Sequence, residues 1–125
     1  MSTSSPRTAA TSSSAEHWLV REEEREVALL DIPPHAERER QFEVSCSLEV
    51  RPRAGQPEAW HALRVLVDGA LQWQRQVPTH PEGSDSLDVR FVKRVPVGQP
   101  LRLLAIGEVQ GAIRQRITLQ AEEEL

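Results

Sequence analysis

Apolar and polar residues alternate along much of this chain with a period of two. In the clearest run, 41–51, every even position from Phe42 to Val50 is apolar or cysteine, and every odd position is polar or charged. Successive side chains of a β-strand point to opposite faces, so this run predicts a strand with one face in a core. Prolines and a glycine at 52–57 follow it and indicate a turn.

The chain before this strand is open to two interpretations. One is a charged helix that begins near Ser13 with a capping box, and the other is extended chain. The apolar stripe of such a helix would have to pass through Glu22 and Glu26. We therefore prefer a strand at 27–32, although the sequence alone leaves open whether 16–32 is helix or strand.

Two later segments predict β-hairpins. In 61–77 the dipeptide Asp68-Gly69 lies between two apolar runs, which is a strong hairpin signal. A three-residue loop at 67–69 gathers the large apolar side chains of both strands on one face, which a two-residue loop does not. The predicted cross-strand pairs are Val65 with Leu71 and Leu63 with Trp73.

The same argument predicts a hairpin at 101–120 with a loop at 109–111. In this register the apolar residues of the two strands again face one another. The predicted pairs are Leu103 with Ile117 and Leu101 with Leu119. Residues 87–92 supply another strand, which stops at the turn at 96–98.

These segments give about seven antiparallel strands and predict an all-β sandwich. Trp73, on a central strand, and the two phenylalanines are expected to fill the layer between the sheets. The architecture resembles an immunoglobulin or fibronectin type III sandwich, but Cys46 is alone, so the immunoglobulin cysteine pair is absent. The resemblance concerns topology and carries no function. The predicted regions are a disordered tail at 1–15, a charged arm at 16–23, the sandwich at 24–120 and an acidic tail at 121–125.

The composition and charge of the chain limit the kinds of partner that we expect for it. The 125 residues make one domain, and the net charge of −4 supplies no general attraction for nucleic acid. No apolar run reaches the roughly 18 residues of a membrane span. The first 15 residues lack the apolar core of a secretory signal. We expect a cytoplasmic protein without nucleic-acid or membrane partners.

No motif typical of catalysis or cofactor binding is present in the sequence. No serine or cysteine lies in a nucleophile motif, and the four histidines lack the short spacing of structural metal ligands. Cys46 falls on the apolar side of its strand, where burial suppresses thiol reactivity. We expect no enzyme activity, no metal site and no cofactor.

Basic residues concentrate near the C-terminus of this acidic chain. Residues 86–120 contain six basic and two acidic residues. In the predicted register the arginines of both hairpins point outward together with aliphatic residues, and such a mixture is typical of protein interfaces. The predicted partner-binding residues are Arg64, Leu66, Arg102, Leu104, Ile106, Arg114 and Arg116.

This surface predicts a small non-enzymatic module for protein–protein interaction or assembly, which binds an unidentified protein or a second copy of itself. Two other interpretations stay open. The N-terminal segment around Trp18 and Leu19 covers the surface within the same chain, or the arginines are solvated or paired with the acidic tail at little net energy.

A loop-based ligand-binding domain, for calcium or carbohydrate, is the alternative function. Sandwich domains often carry binding residues on the loops at one end. The loop before the strand at 87–92 is rich in the oxygen ligands that calcium prefers, without the spacing of an EF-hand. The candidate residues are His80, Glu82, Asp85 and Asp88.

Overall fold

The structure is a computed structural model that describes residues 14–125. The tail expected at 1–15 lies almost wholly outside the described residues. Within 14–125 the chain forms eight strands. They are β1 (His17–Glu23), β2 (Val27–Ile32), β3 (Arg40–Pro52), β4 (Trp60–Val67), β5 (Ala70–Pro78), β6 (Asp85–Val95), β7 (Leu101–Gln110) and β8 (Ala112–Glu123).

The strands form two four-stranded antiparallel sheets, which confirms the predicted all-β sandwich. Sheet A has the order β1-β8-β3-β6, and sheet B has the order β2-β7-β4-β5. Between β1 and β8 only the β4–β5 connection stays within a sheet, and the other six cross from one sheet to the other. This is the strand order of a jelly roll, so the likeness to an immunoglobulin sandwich extends to the two packed sheets and not to the connectivity.

The segment 16–32 is extended chain, which confirms the preferred strand at 27–32. Its two strands belong to different sheets: β1 pairs with β8 in sheet A, and β2 pairs with β7 in sheet B. Glu24 adopts a positive φ of 59° where the chain turns between them. The strands therefore extend past the predicted limits of 24 and 120, from His17 to Glu123.

The β4–β5 hairpin is present, but its predicted register is wrong. Asp68 and Gly69 have φ angles of 50° and 86°, which form a two-residue turn of the type that right-handed strand twist favours. Val67 pairs with Ala70 and Leu66 with Leu71, and a bulge at Gln72 then shifts the register. The bulge restores the apolar alternation, because Val65 pairs with Trp73 on the inner face.

The predicted β7–β8 hairpin is wrong, because the two strands lie in different sheets. Gly111, with a φ of 69°, turns the chain at a corner between the sheets rather than within one. Ile117 and Leu119 pair with Leu48 and Cys46 of β3, not with β7. The side chains of β7 and β8 still meet, but across the core.

The core lies between the sheets. Phe42 is fully buried, as expected, among aliphatic residues of both inner faces. Trp73 does not lie on a central strand as predicted, because β5 is an edge strand that pairs with β4 alone. Trp73 is therefore only partly buried. Phe91 is also partly buried because β6 is an edge strand of sheet A, and both side chains pack against the core.

A polar clamp of Glu16, Arg38, Arg40 and Glu123 closes one end of the sandwich. Arg38 Nη2 donates to Glu123 Oε1 at 2.6 Å, and Arg40 Nη1 donates to Glu16 Oε1 at 2.7 Å. The Arg40 side chain is 1% exposed and also donates to the carbonyl oxygen of Pro33 at 2.9 Å. These bonds attach the residues before β1 to the end of β8. Among the described residues there is no helix that could span a membrane.

Candidate functional site

The outer face of sheet B carries four leucines in one row, one from each strand. In spatial order across the sheet, Leu29 pairs with Leu104, Leu104 with Leu66, and Leu66 with Leu71. We call these four residues the leucine row. Because directly paired residues of antiparallel strands point to the same face, all four side chains emerge together.

Local sequence places each leucine on this face. In β2, β4 and β7 the alternate residues are buried in the core, so their neighbours in sequence face outward. In β5 the two-residue turn decides the orientation of Leu71, because it pairs Leu71 with outward-facing Leu66, and the bulge at Gln72 then pairs Trp73 with inward-facing Val65. With the three-residue loop that the sequence predicted, Leu71 would instead pair with Val65 and point into the core.

The row is exposed at its ends and half-buried at its centre. Leu29 is 44% exposed and Leu71 is 53% exposed. Val27 and Ile106 pair with each other in the adjacent row and widen the apolar area. Large apolar patches of this kind on a sheet surface are typical of interaction sites rather than of solvated sheet.

Two ion pairs flank the apolar area. Arg102 Nε donates to Asp31 Oδ1 at 2.8 Å on one side of the row, and Arg64 Nε lies 3.6 Å from Glu108 Oε1 on the other. The hydrogen bond from Arg102 to Asp31 raises the pKa of Arg102. The outward residues of the four strands thus contribute two acids and two arginines, all in ion pairs. The exposed Arg75 and Asp68 border the face with opposite charges, so this surface is nearly neutral.

Five of the seven predicted partner-binding residues lie on this face, and two do not. The five are Arg64, Leu66, Arg102, Leu104 and Ile106. Because β8 belongs to sheet A, Arg116 points out on the opposite side of the sandwich, where its Nε donates to Glu23 Oε2 at 2.9 Å. Arg114 turns toward sheet B at the sandwich corner, where its Nη1 donates to the carbonyl oxygen of Gly107 at 3.3 Å.

The sequence interpretation missed Val27, Leu29 and Leu71. A signal for the first two was present, since 27–32 is apolar at Val27, Leu29 and the buried positions between and after them. A strand that is apolar on both faces must either be central or expose one face to a partner. β2 is an edge strand of a two-layer sandwich, so its outward apolar residues are left uncovered.

The N-terminal segment does not cover this surface. Trp18 and Leu19 lie on β1, which is the edge strand of sheet A. Trp18 packs against the core and Leu19 is 48% exposed on the outer side of sheet A. Within residues 14–125, therefore, no part of the chain lies over the leucine row. The segment 27–32 instead enlarges the surface by supplying β2.

The polar groups of the acidic segment at 80–88 form hydrogen bonds with one another. Asp85 accepts hydrogen bonds from the backbone N–H of His80 and Ser86, at 2.9 and 2.8 Å. The bond from His80 lowers the pKa of Asp85 most strongly, burial opposes this shift, and the bond from Ser86 and the charges of His61 and His80 lower the pKa further. Glu82 donates its N–H to the His80 ring, and Asp88 accepts from the Ser86 hydroxyl on β6. In the described part of the chain no three metal-ligating side chains converge.

A surface depression of about 500 Å³ lies on the outer face of sheet A. Its floor consists of small hydroxyl-bearing side chains from β3 and β8, and its wall includes Asp88 and Arg90 of β6. No histidine of the described chain borders it to act as a base. Cys46, whose backbone contributes to the floor, is buried, and burial followed by the charge of Asp88 raises its pKa to about 12. The thiol is therefore held in its unreactive form.

Comparison with known proteins supports the fold alone. No protein-family model and no curated protein matches this chain. Dimeric latent PorU from Porphyromonas gingivalis contains a similar region, with a TM-score of 0.51 and 11% identity over 89% of this chain and 13% of that chain. A β-glucosidase from Paenibacillus barengoltzii gives 0.45 and 13%, over 86% and 10% of the two chains. A family 35 carbohydrate binding module from an environmental isolate gives 0.38 and 13%, over 81% and 71%. This chain is a small β-sandwich domain, and it spans only 13% and 10% of the lengths of the first two proteins.

Proposed function

We propose that this domain is a non-catalytic protein-interaction module whose binding surface is the outer face of sheet B. The observation that carries the proposal is the leucine row, which is an apolar band across a whole sheet with no covering chain in the described residues. Removing such a band from water is favourable at about 25 cal/mol per Å² of apolar surface. A partner protein supplies that burial.

The chemistry of the face specifies the kind of partner. Its centre is aliphatic and its arginines lie at the edge, which is the usual distribution in protein interfaces. Asp31 and Glu108 already pair with Arg102 and Arg64, and the exposed Arg75 and Asp68 at the border are of opposite sign. The face therefore carries no net positive charge that would attract nucleic acid or an anionic surface. The fitting partner is a protein that presents an aliphatic patch with a neutral or mixed-charge edge.

The sheet face is better supported as a binding surface than two other candidate sites. His61 bonds the Thr79 hydroxyl at 2.8 Å, but both side chains are buried and therefore do not reach a substrate in solution. The loop alternative has weaker support, because Asp85 and Asp88 are engaged by groups of the loop itself. We therefore place binding on the sheet face and not on the loop at 80–88.

The test compares three proteins: wild type, a row variant with Leu66→Asp and Leu104→Asp, and a control variant with Ser45→Asp and Ser47→Asp. The control adds the same charge to the outer face of sheet A, and circular dichroism checks the fold of each. Each protein is used to capture partners from its source cells, and a captured protein is then purified and its contact mapped by hydrogen exchange. We expect the row variant to lose at least about tenfold in affinity. Equal binding by all three proteins, or protection confined to sheet A, would overturn the proposal.

A further inference from the structure

We infer that the partner of the leucine row is a second copy of this chain, packed face to face on sheet B about a two-fold axis. This inference rests on the proposed function and names its partner. Most oligomers of soluble proteins are symmetric, and a two-fold dimer requires a surface that is complementary to itself. The outer face of sheet B has this property in its shape, its polarity and its charge.

The row is self-complementary because it crosses all four strands at one level. A two-fold axis that runs parallel to the strands and passes between β7 and β4 exchanges the two ends of the row. It then stacks Leu104 on Leu66 of the second copy, and Leu29 on Leu71 of the second copy. Every leucine therefore meets a leucine, as the inner faces of two sheets do in a sandwich core.

Charge on this face favours a second copy. The chain carries a net charge of −4, so two copies repel one another unless they meet through a neutral surface. The outer face of sheet B is that surface, since its two arginines and two acids are paired and the exposed Arg75 and Asp68 at its border are of opposite sign. The same axis also brings Arg102 over the corner of the second copy that holds Asp68. Asp68 is exposed and, among residues 14–125, its carboxylate accepts only the backbone N–H of Arg102, so its second oxygen is available.

The size of the face predicts a weak dimer. Four strands at ~4.8 Å spacing, and a length of ~20 Å along β7 from Arg102 to Glu108, give roughly 400 Å² of sheet per copy. The total of roughly 800 Å² is below the roughly 1,200 Å² of standard stable interfaces. The dimer should therefore form reversibly at high concentration, with a midpoint between about 10 µM and 1 mM.

Sedimentation velocity across that concentration range tests the inference with the same three proteins. We expect the weight-average mass of wild type and of Ser45→Asp/Ser47→Asp to rise toward twice the chain mass, and Leu66→Asp/Leu104→Asp to stay monomeric. A wild type that is monomeric at about 1 mM overturns the inference. So does equal dimerisation of wild type and row variant. If the wild type is monomeric but captures another protein in a row-dependent way, the proposed function stands and only the second-copy inference fails.

Crosslinking tests the direction of the two-fold axis. In the proposed dimer Leu29 lies against Leu71 of the second copy, within reach of a short bismaleimide. The two Leu29 positions lie at opposite ends of the row, three strand spacings or about 14 Å apart, and so do the two Leu71 positions. An equimolar mixture of Leu29→Cys and Leu71→Cys proteins should crosslink to a dimer, while each protein alone should not. Cys46 does not interfere because it is buried and unreactive. Crosslinking of each single variant with itself, or no crosslinking in the mixture, overturns the proposed arrangement.

Discussion

Gly107 leaves room on β7 for side chains of the opposite sheet, and filling that room should destabilise the fold. It faces sheet A from the inner side of sheet B, and its φ is not positive, so its conformation does not require glycine. A Cβ added there would lie 2.9 Å from Leu48 Cδ1 and 3.3 Å from Ile117 Cδ1. Non-bonded carbon atoms prefer about 3.5–4.0 Å, so Gly107→Ala forces Leu48 to move by several tenths of an ångström.

The magnitude follows from the burial of Leu48. Its side chain is fully buried and therefore has no free space to move into. Overpacking of this kind costs about 1–3 kcal/mol, whereas alanine regains about 0.4–1 kcal/mol through the unfolded chain. The net expectation is a loss of about 1–2 kcal/mol in the free energy of unfolding. For a domain of this size that loss lowers Tm by roughly 4–10 °C.

Urea unfolding followed by tryptophan fluorescence, with thermal scans by circular dichroism, measures the effect. Leu48→Val supplies the matched background, because valine lacks the δ-carbons that the new methyl group meets. In that background Gly107→Ala should cost less than in wild type, which gives a favourable coupling energy in a double-mutant cycle. A Gly107→Ala protein as stable as wild type, or a penalty that is unchanged in the Leu48→Val background, would refute the argument from close packing.

Three further predictions concern stability and reactivity. Burial alone would raise the pKa of Glu123, but hydrogen bonds from Arg38 and the backbone of Glu16, with the charges of Arg38 and Arg40, outweigh it and lower that pKa. The carboxylate therefore stabilises the fold at neutral pH and loses its contribution as pH falls through the lowered pKa. Glu123→Gln should cost about 1–3 kcal/mol at pH 7 and little at pH 2, by urea titration, and an equal cost at both pH values would contradict this. Cys46 should not react with a thiol reagent at pH 8 until the protein is denatured, and rapid labelling of native protein would show that the thiol is accessible. Gly69→Ala should cost about 1 kcal/mol through its φ of 86° alone, since no atom lies within 4 Å of the new Cβ, whereas Gly69→Asn should cost less.

The local sequence pattern was sufficient to predict most of the strands and many of the outward-facing residues. The alternation in 41–51 predicted β3 almost to its ends, because the two faces of a half-buried strand must differ in polarity. The same rule placed Leu66, Leu104 and Ile106 on outward positions before any sheet was known. Their orientation depends only on which neighbouring residues are buried.

The predicted register of β4–β5 was wrong because no residue pattern in the sequence predicts the bulge at Gln72. Both a three-residue loop and a two-residue loop followed by a bulge bring Trp73 to the inner face. They differ only in the orientation of Leu71, which the structure places beside Leu66 on the outer face. That difference of one residue completes the leucine row.

The sequence by itself determined that this is an all-β chain and, for most of the strands after β1, roughly where they run and which side is apolar, since these follow from period and turn residues. Only the tertiary structure decided which strands share a sheet. A glycine turn such as Gly111 serves equally for a hairpin and for a corner between sheets, and long-range packing of β8 against β3 selects the corner. That choice separated Arg114 and Arg116 from the predicted surface and brought β2 beside β7. The leucine row therefore arises from strand pairing between segments that are distant in sequence, and a local sequence pattern does not predict such pairing.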